Sequence, residues 1–173
     1  SSVESIGYSA FSDCTSLSSI EILDGVTTIG DFAFRNCTSL SEIVIPASVE
    51  SIGSLEFDGC ISLESIIVDS NNTVYDSREN CNCIIETATN KLMQGCKNSF
   101  IPDSVTSIGN YAFSGCSGLT EVTIGSGVTS IEQYAFTNCS GLKEVIIGSG
   151  VTDIEDYAFR NCSGLIEITC HAV

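Results

Sequence analysis

Ten cysteines, one histidine and 22 carboxylates are the side chains in this chain with the means to do chemistry. Six of the cysteines fall in two runs of three, Cys14, Cys37 and Cys60, then Cys116, Cys139 and Cys162, spaced 23 apart within each run. Equal spacing predicts a column of small buried residues, and a free thiol packs as a small hydrophobe. Neighbours in such a column would sit within disulfide range at ~5 Å. Stacking in register, however, aims their side chains alike, so the column reads as a ladder of free thiols. Cys81, Cys83 and Cys96 lie off it. Read as zinc ligands they lack a second C-x-x-C, and the only histidine, His171, is distant in sequence, so no metal site is expected. A hairpin centred on Ala88 and Thr89 would set Cys81 opposite Cys96, a candidate disulfide; alternatively Cys96 fills an apolar strand position and is buried. Cys170 stands where the other strands carry Ile or Val and reads as core.

Catalysis has little to build on. One histidine and scattered serines give no nucleophile, base and orienting group, and the carboxylates belong to a repeat rather than to a pair. The chain reads as non-enzymatic, with no cofactor. Six Lys and Arg against 22 Asp and Glu leave a net charge of -16. That surface disfavours nucleic-acid backbones and anionic lipid and suits basic partners or cations, or serves solubility alone. No apolar run reaches the ~20 residues that span a bilayer, so membrane insertion is not expected. The chain starts and stops inside repeats with no signal peptide, and is read as a fragment of a longer protein.

The elements that position these residues come from one repeating unit, V-x-x-I-x-x-x-A-F-x-x-C-x-x-L-x-x-V/I-x-I. Its opening valine recurs at Val3, Val26, Val49, Val105, Val128 and Val151. A period in the twenties marks a solenoid, in which stacked units share one continuous core. A single domain over 1–173 is expected, with regular repeats at 3–25, 26–48, 49–71, 105–127, 128–150 and 151–173 and one irregular long repeat at 72–104. In each, L-x-x-V/I-x-I alternates as a strand, and strands of successive repeats should stack in parallel ~4.8 Å apart into one sheet. A-F-x-x-C reads as a short helical or 3-10 turn. The residue before each repeat cysteine is Asp13, Asn36, Gly59, Gly115, Asn138 or Asn161, types that tolerate a left-handed backbone. In the irregular repeat, CIIETATNKLMQ predicts a β-hairpin with Thr87–Asn90 as loop and Glu86 opposite Lys91. The following segment, 96–101, takes the strand register.

With the 23-residue period, A-F-x-x-C and L-x-x-I-x-I in hand, the chain resembles the BspA-like leucine-rich repeat proteins over essentially its whole length. Its irregular repeat is similar to the long repeat that interrupts such arrays in proteins of gut bacteria. The resemblance implies an α/β-type leucine-rich-repeat solenoid: a right-handed curved superhelix with one parallel concave sheet and, here, an inserted hairpin. It also implies a cell-surface or secreted protein that binds host matrix or cell-surface proteins, and it carries no catalytic residues.

The strand register sends two columns outward on the sheet. One is Ser19, Glu42, Ser65, Asn98, Glu121, Glu144 and Glu167. The other is Glu21, Val44, Ile67, Phe100, Thr123, Ile146 and Thr169. Glu42, Glu121, Glu144 and Glu167 with Val44, Ile67, Phe100 and Ile146 form the expected partner-binding face. Stacked glutamates repel by roughly 1 kcal/mol per neighbouring pair in water. The expected function is a protein-binding or adhesion module with a protein partner. The alternatives are a passive spacer, or a homotypic module pairing as a homodimer through uncapped strand edges.

Overall fold

The computed structural model describes residues 3–171. Its fourteen strands are β1 (Ser5–Ile6), β2 (Thr28–Ile29), β3 (Glu42–Ile45), β4 (Ser51–Ile52), β5 (Ser65–Val68), β6 (Tyr75–Asp76), β7 (Cys83–Glu86), β8 (Lys91–Gly95), β9 (Ser107–Ile108), β10 (Glu121–Ile124), β11 (Ser130–Ile131), β12 (Glu144–Ile147), β13 (Asp153–Ile154) and β14 (Glu167–Cys170). V-x-x-I supplies the two-residue strands other than β6, and L-x-x-V/I-x-I supplies β3, β5, β10, β12 and β14; over 17–22 of the first coil, where a strand was expected, none forms. On β3, β10 and β12 burial alternates outward and inward, as a period of two requires. Val and Ile from both strand rows close on the Ala, Phe, Cys and Leu of the intervening turn.

The helical turns expected at A-F-x-x-C are absent. Among the described residues the one 3-10 stretch is Arg78–Asn80, itself interrupted by Glu79 at φ 60°. The coil is therefore a β-solenoid rather than an α/β one, and its hydrogen bonds say why. In the first coil the N–H groups of Ser9, Phe11 and Asp13 donate to the carbonyls of Asp31, Ala33 and Arg35 in the next coil. Those of Ala10, Ser12 and Cys14 close local turns onto Gly7, Ser9 and Phe11. A helix would spend every N–H on its own carbonyls and leave none to join the coils. Alternation needs left-handed residues, and the predicted column provides one: Asp13, Asn36, Asn138 and Asn161 at φ 57–62°, with Gly59 and Gly115 above 70°. A second left-handed column, Ser9, Phe32, Leu55, Tyr111, Tyr134 and Tyr157 at 53–61°, opens the same segment.

The hairpin forms as predicted, with Glu86 opposite Lys91 and Ile85 opposite Leu92. It joins the short-strand side: β8 pairs in parallel with β9, making a six-stranded sheet in the order β13-β11-β9-β8-β7-β6. Ile84 packs into the core of the first three coils, and Ile85 and Leu92 into that of the last three. The hairpin is the seam between the two halves.

The single continuous long-strand sheet is not found. β3 pairs with β5, and β10 with β12 and β14, but residues 96–102 belong to neither ladder. Their polar groups turn to the loop before the hairpin instead. Phe100 N–H donates to the Cys81 carbonyl at 3.2 Å. Ser99 Oγ donates to the Asn82 carbonyl at 2.5 Å and receives the Cys96 N–H at 2.7 Å.

Candidate protein-binding face

The long-strand face carries the expected columns in two blocks. In one, Glu42 stands beside Ser65 and Val44 beside Ile67. In the other, Glu121, Glu144 and Glu167 occupy consecutive in-register positions, flanked by Thr123, Ile146 and Thr169. Phe100 lies between the blocks. All four glutamates are exposed. None joins any of the four ion pairs among the described residues, which are Arg35–Asp58, Arg78–Asp76, Lys91–Glu132 and Lys97–Glu64. The apolar members are large and open: Val44 is 46% exposed, Ile67 47%, Phe100 45% and Ile146 37%. The face therefore combines uncompensated negative charge with aliphatic and aromatic surface.

Interrupted pairing leaves a cavity of about 430 Å³ between residues 97–103 and β10, lined by Phe100, Glu121, Thr123 and Asp103 among others. A second, of about 490 Å³, lies over the first block beside Glu21, Glu42 and Val44.

The cysteines have a structural job that spacing alone did not reveal. Cys37, Cys60, Cys139 and Cys162 each donate S–H to the carbonyl of the Phe in the preceding coil, at 3.0–3.1 Å. Each thiol thus serves as a donor between coils as well as a small apolar group. Cys116 meets Gly95 there instead, at 3.7 Å. Burial pushes the Cys60 thiol up to about 12, far from thiolate reactivity. The column is not uniformly buried: Cys116 and Cys162 are half-buried, and Cys14, in the first coil, is exposed. Cys170 is exposed rather than core. All ten cysteines are free. A bulge between Ile84 and Ile85 pairs Cys83 with Gly95. The pairing is thereby shifted by one residue, which brings Asn82, not Cys81, across from Cys96. The Cys96 thiol accordingly lies 3.6 Å from the Asn82 carbonyl, and Cys81 packs against Cys83.

Two features escaped the sequence reading. Tyr111, Tyr134 and Tyr157 form a stack along the side of the last three coils, with ring centroids 5.0 Å apart. Left-handed backbone costs an L-residue about 1–2 kcal/mol, and aromatic stacking returns a similar amount. No glycine or asparagine marks these positions, so their conformation had no local signal. The other is Glu56, which replaces the repeat alanine and is only 2% exposed. Burial pushes its carboxyl up to about 8, with Asp31 adding to the rise against a lowering bond from its own backbone. The substitution Ala to Glu at a core position was the available clue.

The BspA type leucine rich repeat region matches in six copies, over residues 1–93 and 93–172. The chain belongs to the BspA-type leucine-rich repeat family. This BspA-type chain is similar to a leucine rich cell surface protein from Faecalibacterium prausnitzii, at 26% identity and TM-score 0.70, over 99% of this chain and 58% of that one. It shares its fold with the pneumococcal vaccine antigen PcpA, at 19% identity and TM-score 0.72, over 96% of this chain and 48% of that one. The same holds for a leucine-rich repeat protein from Eubacterium ventriosum, at 21% identity and TM-score 0.50, over 95% and 69%. The chain thus spans about half the length of the first two. No curated protein matches it. BspA-type repeats are in general structural and interaction elements. Among the described residues, no helix is long and apolar enough to cross a membrane.

Proposed function

We propose that this BspA-type chain is a non-catalytic protein-binding module of an exported bacterial surface protein, and that its long-strand face receives a partner with a basic surface. The observation that carries this reading is the run Glu121, Glu144 and Glu167, exposed, in register and outside every ion pair among the described residues. Three stacked carboxylates repel by roughly 1 kcal/mol per neighbouring pair in water. The core gains nothing from them, since the side chains that hold the coils together point inward. A partner's lysines and arginines would relieve that repulsion, while Ile146 and Phe100 supply the apolar contact that gives an interface its affinity.

The test is a binding screen of this chain against matrix and cell-surface proteins at low and high salt. A salt-sensitive hit that disappears on Glu121→Lys, Glu144→Lys and Glu167→Lys supports the reading. A hit indifferent to all three moves the interface elsewhere, and no hit at either salt leaves the chain as a spacer.

A further inference from the structure

Three of the cysteines outside the repeat column gather on one bend. Cys81 and Cys83 are 0% exposed and Cys96 1%. Between the first two, left-handed Asn82 at φ 53° folds the chain back on itself. The Cys83 thiol thereby lies 3.2 Å from the Cys81 carbonyl, and the Cys81 thiol 3.9 Å from the Cys83 carbonyl. The two sulfurs also share a hydrogen bond, which outweighs burial at Cys81 and lowers its pKa. At Cys83 burial has the larger effect and raises the pKa. Cys81 is thus the better nucleophile, and Cys83 stands beside it as the thiol that resolves a mixed disulfide. Cys96 is occupied elsewhere, with its Sγ 3.6 Å from both the Asn82 carbonyl and Ser99 Oγ.

The same bend holds the segment that leaves the long-strand ladder. Phe100 N–H donates to the Cys81 carbonyl at 3.2 Å, and the Phe100 carbonyl receives the Cys83 S–H at 3.3 Å. A disulfide has no S–H to donate, so joining Cys81 to Cys83 removes the second of these tethers. Reaching the thiols takes only a local opening. Glu79 and Asn80 are exposed, and with Asn82 they hold φ of 53–60°, a backbone that L-residues disfavour.

We propose that Cys81 and Cys83 are a redox pair, which a small disulfide such as oxidised glutathione converts to an intramolecular disulfide, loosening the segment that carries Phe100. The Cys81 thiolate attacks one sulfur of the small disulfide, breaks its S–S bond and releases one thiolate. The Cys83 thiolate then attacks the Cys81 sulfur of the mixed disulfide and expels the second. The chain gives up two electrons and two protons, and the small disulfide leaves as two thiols. The pair stands whether or not the long-strand face binds a protein.

The test is to incubate the folded chain with oxidised glutathione at mildly alkaline pH, unfold it in iodoacetamide and digest it with trypsin. Cleavage after Arg78, Lys91 and Lys97 places Cys81 and Cys83 in one peptide, 79–91, and Cys96 in the next, 92–97. The expected result is 79–91 without adducts and lighter by two hydrogens, beside an alkylated 92–97. Cys83→Ser should instead retain glutathione on 79–91, Cys81→Ser should leave Cys83 unmodified, and Cys96→Ser should oxidise as the natural chain does. ¹⁵N spectra report whether each variant is folded, and on oxidation should shift at 98–101, reversibly with dithiothreitol, and not along β12. A crosslink between the two peptides, adducts on both Cys81 and Cys83 after oxidation, or a disulfide that forms only in denaturant would overturn the proposal. A Cys81–Cys83 disulfide that leaves 98–101 unshifted would overturn its link to Phe100.

Discussion

Glu56 makes the stability of this solenoid fall as pH rises, and the effect can be worked from its burial. An ordinary glutamate titrates near 4.5, and in the fold this one is pushed up to about 8, first by burial and then by Asp31. The folded state therefore holds a proton that the unfolded chain has released, so stability is fully present below pH 4.5 and is lost progressively up to pH 8. Ionisation in place is disfavoured by about 5 kcal/mol in total, and roughly 3 kcal/mol of that is lost between pH 5 and pH 8. Removing the titrating group while keeping its shape isolates the effect. In Glu56→Gln the amide fills the same site without a charge to bury. Urea denaturation of both proteins at pH 5, 6, 7 and 8 should show the natural chain losing about 3 kcal/mol relative to the variant across that range, with unchanged m-values. Parallel curves for the two proteins would show that Glu56 ionises freely, and would refute the argument from burial.

Other expectations follow from single contacts. A Cβ at Gly95 would lie 2.1 Å from Phe113 Cε1. Gly95→Ala should therefore cost about 1–3 kcal/mol by overpacking the seam, seen as a lower thermal midpoint. Asn138 sits at φ 60° and receives the Asn161 amide at 3.0 Å. Asn138→Ala should destabilise by about 1–2 kcal/mol in urea, and Asn138→Gly by less, because glycine carries no left-handed penalty. Alkylation with iodoacetamide at neutral pH should label the exposed Cys14 and Cys170 in the native protein, and Cys60 and Cys139 only after denaturation. Unfolding without reductant should yield ten adducts by intact mass; eight would reinstate one disulfide.

Much of the architecture can be read from residues that act locally. The returning valines fix the coil length, and Asp13, Asn36, Gly59, Gly115, Asn138 and Asn161 mark the left-handed turn through their own backbone preferences. Alternation in Glu144-Val145-Ile146-Ile147 sets which side chains face out, and Glu86 with Lys91 sets the hairpin register. The candidate face was legible for the same reason: once strand and period are known, Glu121, Glu144 and Glu167 must align.

What sequence left undecided depends on groups one or more coils apart. Whether A-F-x-x-C is helical turned on where its N–H groups find acceptors, and those acceptors lie in the next coil. Cys37, Cys60, Cys139 and Cys162 read as filler until their thiols are seen against a carbonyl 26 residues earlier. The break at 96–102 arose because Asn82 and Cys81 offered that segment other bonds than its neighbouring strands, which set a cavity into a face expected to be continuous. In sequence Glu56 marks only a departure from the repeat alanine, and its burial comes from the folded chain. Periodicity reports what each residue prefers for itself; only the folded chain decides which of several available partners each polar group takes.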